Sequence, residues 1–94
     1  MKHIALASRL KHQERILTQA AAGTVVLLDL DGGNYYALDG TGGRAWELCN
    51  GQRTVSEIAD TIGDEYDSSR ENIEQDLIEL FTELANENLV EAIA

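Results

Sequence analysis

The sequence predicts an α+β domain in which a small antiparallel sheet precedes a set of helices. Three observations predict it. A branched, apolar run, Val25–Leu30, leads into the turn-forming Asp31-Gly32-Gly33-Asn34, and Asn34–Leu38 then returns as the second arm of a hairpin. Beyond Gly43 the apolar residues change period from two to about 3.6 over three segments. Strands first and helices afterwards is the order of an α+β chain.

Taken in order, Met1–Leu10 has no clean period, and residues 1–13 are expected to form a flexible arm ahead of one domain spanning 14–94. His3 and His12 stand in that arm with no acidic or cysteine cluster nearby, which predicts solvated side chains and no metal. Glu14–Gln19 fits a short strand with Ile16 and Leu17 as its apolar content. Ala20–Gly23 then turns the chain, although its alanines also fit a frayed helical end. In the hairpin, Val26, Leu28 and Leu30 share one face, expected toward the core, and Val25, Leu27 and Asp29 share the other. Tyr36 and Leu38 lie on one face of the return strand, with Tyr35 and Ala37 opposite. Three strands joined by short turns make a meander whose last strand is an edge. Asn34–Leu38 holds no Lys, Arg, Glu or Pro to blunt such an edge, so it is either covered or kept open for a partner strand.

Asp39 or Thr41 caps a short helix to about Cys49, burying Ala45, Leu48 and Cys49 with Trp46 alongside, and Asn50-Gly51 ends it. Thr54 and Glu57 form a capping-box pattern for a second helix, with Val55, Ile58, Ala59 and Ile62 at helical spacing and Gly63 closing it. An acidic connection, Asp64–Asp67, follows. Ser68 and Glu71 repeat the capping spacing before the longest helix, which reaches about Glu87. There Ile73, Leu77, Leu80 and Leu84 make a stripe roughly 60° wide, expected to pack on the shorter helices. Ile78, Phe81 and Ala85 widen the apolar arc to roughly 160°, more than two neighbouring helices require. Leu89, Val90 and Ile93 end the chain as a short strand or a packed tail.

All but one of the 17 carboxylates lie beyond Gly23, and the net charge is −10. Such a body repels nucleic acid and anionic lipid and suits a basic or apolar partner. The apolar run Val25–Leu28 is too short to span a membrane, and the N-terminus lacks a signal-peptide pattern, so a cytoplasmic location is expected. Cys49 is the one cysteine, which excludes an internal disulfide. Asp39–Gly43 carries no phosphate-loop signature. No cofactor is expected.

The segments Val26-Leu27-Leu28-Asp29, Tyr35-Tyr36-Ala37-Leu38, Gly42 with Trp46, Thr54–Ile58 and the ending from Asp76-Leu77 to Leu89-Val90 together resemble the PqqD-like proteins, over roughly Leu17–Glu91. These are the peptide-recognition elements of ribosomally made, modified peptide pathways. The resemblance implies a winged-helix-like fold, with a three-stranded antiparallel sheet packed on a three-helix bundle. It also implies a non-catalytic adaptor, on which a precursor's leader peptide adds to the third strand and fills the cleft between that strand and the third helix. Carried onto this sequence, the leader-binding residues are Tyr35, Tyr36, Ala37 and Leu38, facing Glu74, Gln75, Ile78, Phe81, Thr82 and Ala85. Phe81→Ala is accordingly expected to weaken peptide binding more than the fold. The length is most similar to the small recognition subunit of lasso-peptide pathways, which works beside a leader peptidase. A partner of a radical-SAM enzyme is the nearest alternative. A monomer or a weak homodimer through the open edge is expected.

The rival class is a winged-helix DNA-binding regulator. Its recognition helix would need Lys or Arg, whereas the third helix carries Glu71, Glu74, Asp76, Glu79 and Glu83 around Arg70. An enzyme is disfavoured because no Ser/His/Asp, Cys/His or metal-ligand spacing is present.

Overall fold

A computed structural model describes residues 4–66 and 68–93. His3 and the end of the acidic connection at Asp67 lie outside the described residues. The chain runs β1 (Arg9–His12), β2 (Ile16–Ala21), β3 (Thr24–Asp29), β4 (Asn34–Asp39), α1 (Gly40–Leu48), β5 (Asn50–Thr54), α2 (Val55–Glu65), α3 (Arg70–Asn86) and β6 (Val90–Ile93). The fold is α+β, with three helices and two three-stranded antiparallel sheets, ordered β2-β3-β4 and β5-β1-β6.

The first sheet is the expected meander. Ala22 (φ 52°) and Gly23 (φ 83°) occupy the left-handed region in a two-residue turn, the geometry that matches the twist of flanking strands. At the next turn the Asp29 carboxylate accepts the backbone N–H groups of Asp31 and Gly32, both at 3.1 Å, and the Nε–H of Arg15 at 3.2 Å. The Gly32 amide, followed by Arg15, holds this carboxyl below the usual carboxylate range although burial opposes them. Its folded value lies below its unfolded one, so its stabilising contribution is present above the ordinary carboxylate range. That contribution is lost as acid takes the pH down through the depressed value.

The facing of β3 is the reverse of the expected one. Val25, Leu27 and Asp29 are buried, while Leu28 is 36% and Leu30 64% exposed. Both faces of this strand are rich in apolar residues, so alternation left the choice to Asp29. Asp29 faces inward because the turn amides and Arg15 satisfy its charge.

The second sheet was expected only at its last strand. Residues 9–12, assigned to a flexible arm, form its middle strand, paired from Arg9↔Ile93 to His12↔Val90 on one side and Arg9↔Thr54 on the other. Leu10 is 1% exposed. His12 is likewise not a free surface group. Its ring stacks on Trp46 with centroids 3.7 Å apart, and Nε2–H donates to the Trp46 carbonyl at 2.7 Å. Burial lowers its pKa, with the bond to the Trp46 carbonyl acting in the opposite direction. The Trp46 indole N–H in turn donates to Thr18 Oγ1 at 2.9 Å, tying α1 to β2.

The capping box at Thr54 and Glu57 is present, but α2 runs two residues past Gly63. Ser69, not Ser68, caps α3 by accepting the Asn72 N–H. Asp39 stands at the cap position of α1, but its carboxylate accepts the Thr24 hydroxyl at 2.7 Å instead of a helix N–H. Arg44 on α1 clamps Glu65 of α2 through two nitrogens, with Nη2 to Oε2 at 2.7 Å. Arg70 joins α3 to Asp60 of α2.

Gly43 sits where α1 presses on the sheet, and a Cβ there would stand 3.0 Å from both the Leu38 carbonyl oxygen and Val25 Cγ2. Gly43→Ala gains about 1 kcal/mol of helix propensity. It forces an overpacked contact costing roughly 1–3 kcal/mol against a backbone oxygen that cannot yield cheaply. The expected result is a lower midpoint in thermal unfolding, and an unchanged or raised midpoint would show that the contact relaxes.

Candidate peptide-binding groove

β4 hydrogen-bonds to β3 from Thr24↔Asp39 to Asp29↔Asn34 and has no strand on its other side among the described residues. Its backbone groups therefore form an open edge. Beside that edge runs a groove of about 450 Å³, lined by Tyr36, Ala37 and Leu38 of β4, by Leu80, Glu83, Leu84 and Asn86 of α3, by its C-cap Glu87, and by Leu89. Leu38, Leu80, Leu84 and Leu89 give it an apolar lining. Leu84 and Leu89 are anchored in the core, whereas Leu38 and Leu80 are only partly buried.

The mouth of the groove is polar. The Tyr36 hydroxyl donates to Glu87 Oε2 at 3.3 Å, from strand to helix. Burial, followed by the Glu87 charge, pushes this phenol above its ordinary value. At one end Arg15 Nη2 donates to the Asn88 carbonyl at 2.8 Å while its Nε holds Asp29. One guanidinium thus fixes the β3–β4 turn relative to the turn after α3.

Of the residues the sequence pointed to, the groove brings together Tyr36, Ala37 and Leu38. Tyr35 is 74% exposed on the opposite face of β4 and does not line it. Phe81 is 0% and Ala85 1% exposed, so both are core residues with no surface to offer a ligand. Glu74, Gln75 and Ile78 line a separate depression with Leu6 and Glu71. Thr82 is half-buried, with its hydroxyl bonded to the Ile78 carbonyl at 2.6 Å. The helix was rotated in the expectation. Leu80 and Ile78 point roughly 160° apart around α3, and Leu80 faces the groove. Leu80, Glu83, Leu84 and Glu87 recur at helical spacing, but only Leu80 and Leu84 belong to the stripe expected from the sequence, and that stripe was expected to pack on the shorter helices.

The other face of the sheet carries a second feature. Leu17, Leu28 and Tyr35 stand opposite one another in a row across all three strands, and they are 51%, 36% and 74% exposed. Val26 and Ala37 continue this row on the same face. In a chain that is 26% charged, these five positions carry no charge. Among the described residues no three His, Cys, Asp or Glu side chains cluster as a metal site, and no helix is long and apolar enough to cross a membrane.

No curated protein matches the chain. Among solved structures the fold is similar to TbiB1, determined in complex with the TbiA(beta) leader peptide, at 36% identity and TM-score 0.81 over 89% of this chain and 98% of TbiB1. It is also similar to a lasso peptide synthetase B1 complexed with the leader peptide, at TM-score 0.79 over 88% and 98% of the two chains. At 22% identity that second likeness concerns the fold. Residues 24–90 match the family described as coenzyme PQQ synthesis protein D, a span that takes in β3, β4, all three helices and the groove between β4 and α3. With its sequence and its fold in agreement, the chain belongs to the PqqD family.

Proposed function

We propose that this protein is a cytoplasmic, non-catalytic adaptor that binds the leader segment of a ribosomally made precursor peptide and hands it to a processing enzyme in lasso-peptide biosynthesis. The observation that carries this reading is an unguarded strand edge lying directly beside an apolar groove. An extended peptide added to β4 would satisfy the open backbone groups, while alternate side chains drop into the groove. Backbone pairing then supplies affinity and the leucine-lined groove supplies selection. The 36%-identical relative was solved with a leader peptide, which supports the same use here.

Catalysis is disfavoured by the chemistry of the groove. Its one hydroxyl, Tyr36, has its pKa raised, the wrong direction for a nucleophile or a base. Cys49 is buried elsewhere, with its thiol pushed up to about 12. A winged-helix-like protein can also serve DNA, but Arg70, the one cation of α3, is engaged by Asp60 and Glu74.

Nuclear magnetic resonance of backbone amides during titration with the precursor encoded in the same gene neighbourhood tests the reading. Shifts concentrated at Tyr36–Leu38 and Leu80–Glu87 are expected. A folded protein whose amides stay still across that range would sink it.

The charge-free row on the outer sheet face offers the processing enzyme an apolar seat. Leu28→Asp places a carboxylate at its centre without touching the groove. Peptide affinity should stay within about twofold, since substitutions at exposed sites perturb little. Processing of the precursor by the partner enzyme should fall about fivefold or more, because an unpaired charge in an apolar contact costs about 1 kcal/mol or more, at about 1.4 kcal/mol per tenfold. Normal processing by that variant would exclude this face.

A further inference from the structure

We infer that the groove selects peptides in which a Lys or Arg lies within two residues of the apolar side chain it buries, with Glu83 and Glu87 as the residues that read the cation. The inference rests on the peptide-binding reading above and adds the chemical class of the peptide. Glu83 and Glu87 are both exposed at the groove lip, one helical turn apart, above the apolar lining formed by Leu80 and Leu84. Among the described residues neither carboxylate forms an ion pair with Lys or Arg, and the groove lining contains no cation. Arg15, which stands near Tyr36, has Nε committed to Asp29 and Nη2 to the Asn88 carbonyl.

Elsewhere several acids are matched by cations, while others among the described residues, such as Glu71, Asp76 and Glu79, also have no ion pair but lie outside this groove. Glu65 holds Arg44, Asp60 and Glu74 hold Arg70, Glu91 holds Lys11, and Asp29 holds Arg15. Two like charges at this helical spacing destabilise the free helix slightly. A ligand cation relieves that repulsion when it binds. In an extended peptide the side chain two residues from a buried one points to the same side, toward α3 and the lip where the carboxylates stand. A neutral apolar peptide would leave Glu83 partly desolvated without a cation and Glu87 with only the Tyr36 hydroxyl, which turns the lip against the wrong ligand as well as toward the right one.

The test is a display selection of random twelve-residue peptides on the intact protein, followed by affinity measurements on the winners with wild type and with the double variant Glu83→Gln, Glu87→Gln. Binding at the groove is established separately for each winner by amide shifts at Tyr36–Leu38. Groove-binding winners should be enriched in Lys or Arg within two positions of a large apolar residue. The double variant should bind them about tenfold more weakly at low salt, the sum of two exposed ion pairs. That difference should shrink as salt is raised to about 1 M. The variant should melt no lower than wild type, because it removes a repulsion. Groove-binding winners without basic enrichment, or with equal affinity for the variant, would overturn the inference and leave the adaptor reading standing. Winners that never shift Tyr36–Leu38 would overturn both.

Discussion

Phe81→Ala is expected to cost the fold about 3–5 kcal/mol, the range for deleting a fully buried phenyl ring. Its side chain is 0% exposed and belongs to the core cluster that joins α3 to the rest of the fold. Against a total stability of roughly 5–15 kcal/mol, a loss of that size brings the native state close to the edge of stability. Urea denaturation followed by circular dichroism measures it directly. Peptide affinity of the remaining folded fraction should change little, because Phe81 presents no atom to the groove. A variant that keeps near-normal stability while losing peptide binding would restore Phe81 to the site and contradict the geometry.

Leu80→Glu is expected to have the opposite profile. Leu80 is only partly buried and lines the groove beside Glu83 and Leu84. Replacing it removes an apolar contact worth roughly 1.5–3 kcal/mol to a buried ligand side chain, or about ten- to a hundredfold in affinity. It also puts a third carboxylate beside Glu83 and Glu87, so the fold should lose little while peptide binding is nearly abolished. Titration of leader peptide into this variant, compared with Leu80→Met, separates lost apolar contact from added charge. Wild-type affinity in Leu80→Glu would mean that peptide does not enter the groove.

The two variants also mark where the sequence was legible. The breadth of the apolar arc on α3 was correctly informative, since one helix must serve both a core and a groove. Its division was not legible, because Leu80, Leu84, Ile78 and Phe81 are similar in hydrophobicity and the one carboxylate within the arc, Glu74, does not separate core from groove. Only the packing of α3 against α2 and the sheet decides which part turns inward. β4 was readable as an open edge because the absence of Lys, Arg, Glu and Pro is a property of composition. β5 was not readable, because Asn-Gly-Gln-Arg-Thr has no apolar alternation and becomes a strand only by pairing with β1. β1 itself shows a single buried side chain, Leu10, and its strand character lies in partners remote along the chain. The capping box at Thr54, by contrast, is a local hydrogen-bond pattern and was legible residue by residue.

The placement of β1 between β5 and β6 has a consequence for synthesis. β1 is made first, yet its partner β6 follows roughly eighty residues later, a delay of about 4–16 s at roughly 5–20 residues per second. The β2-β3-β4 meander, joined by short turns, closes within microseconds of emerging. The nascent chain therefore displays an unprotected strand edge and a leucine-bearing sheet face for seconds before α3 and β6 arrive to finish the body. Slowing translation over residues 70–93 should raise the yield of insoluble protein, and a strand-forming ligand supplied during synthesis should lower it.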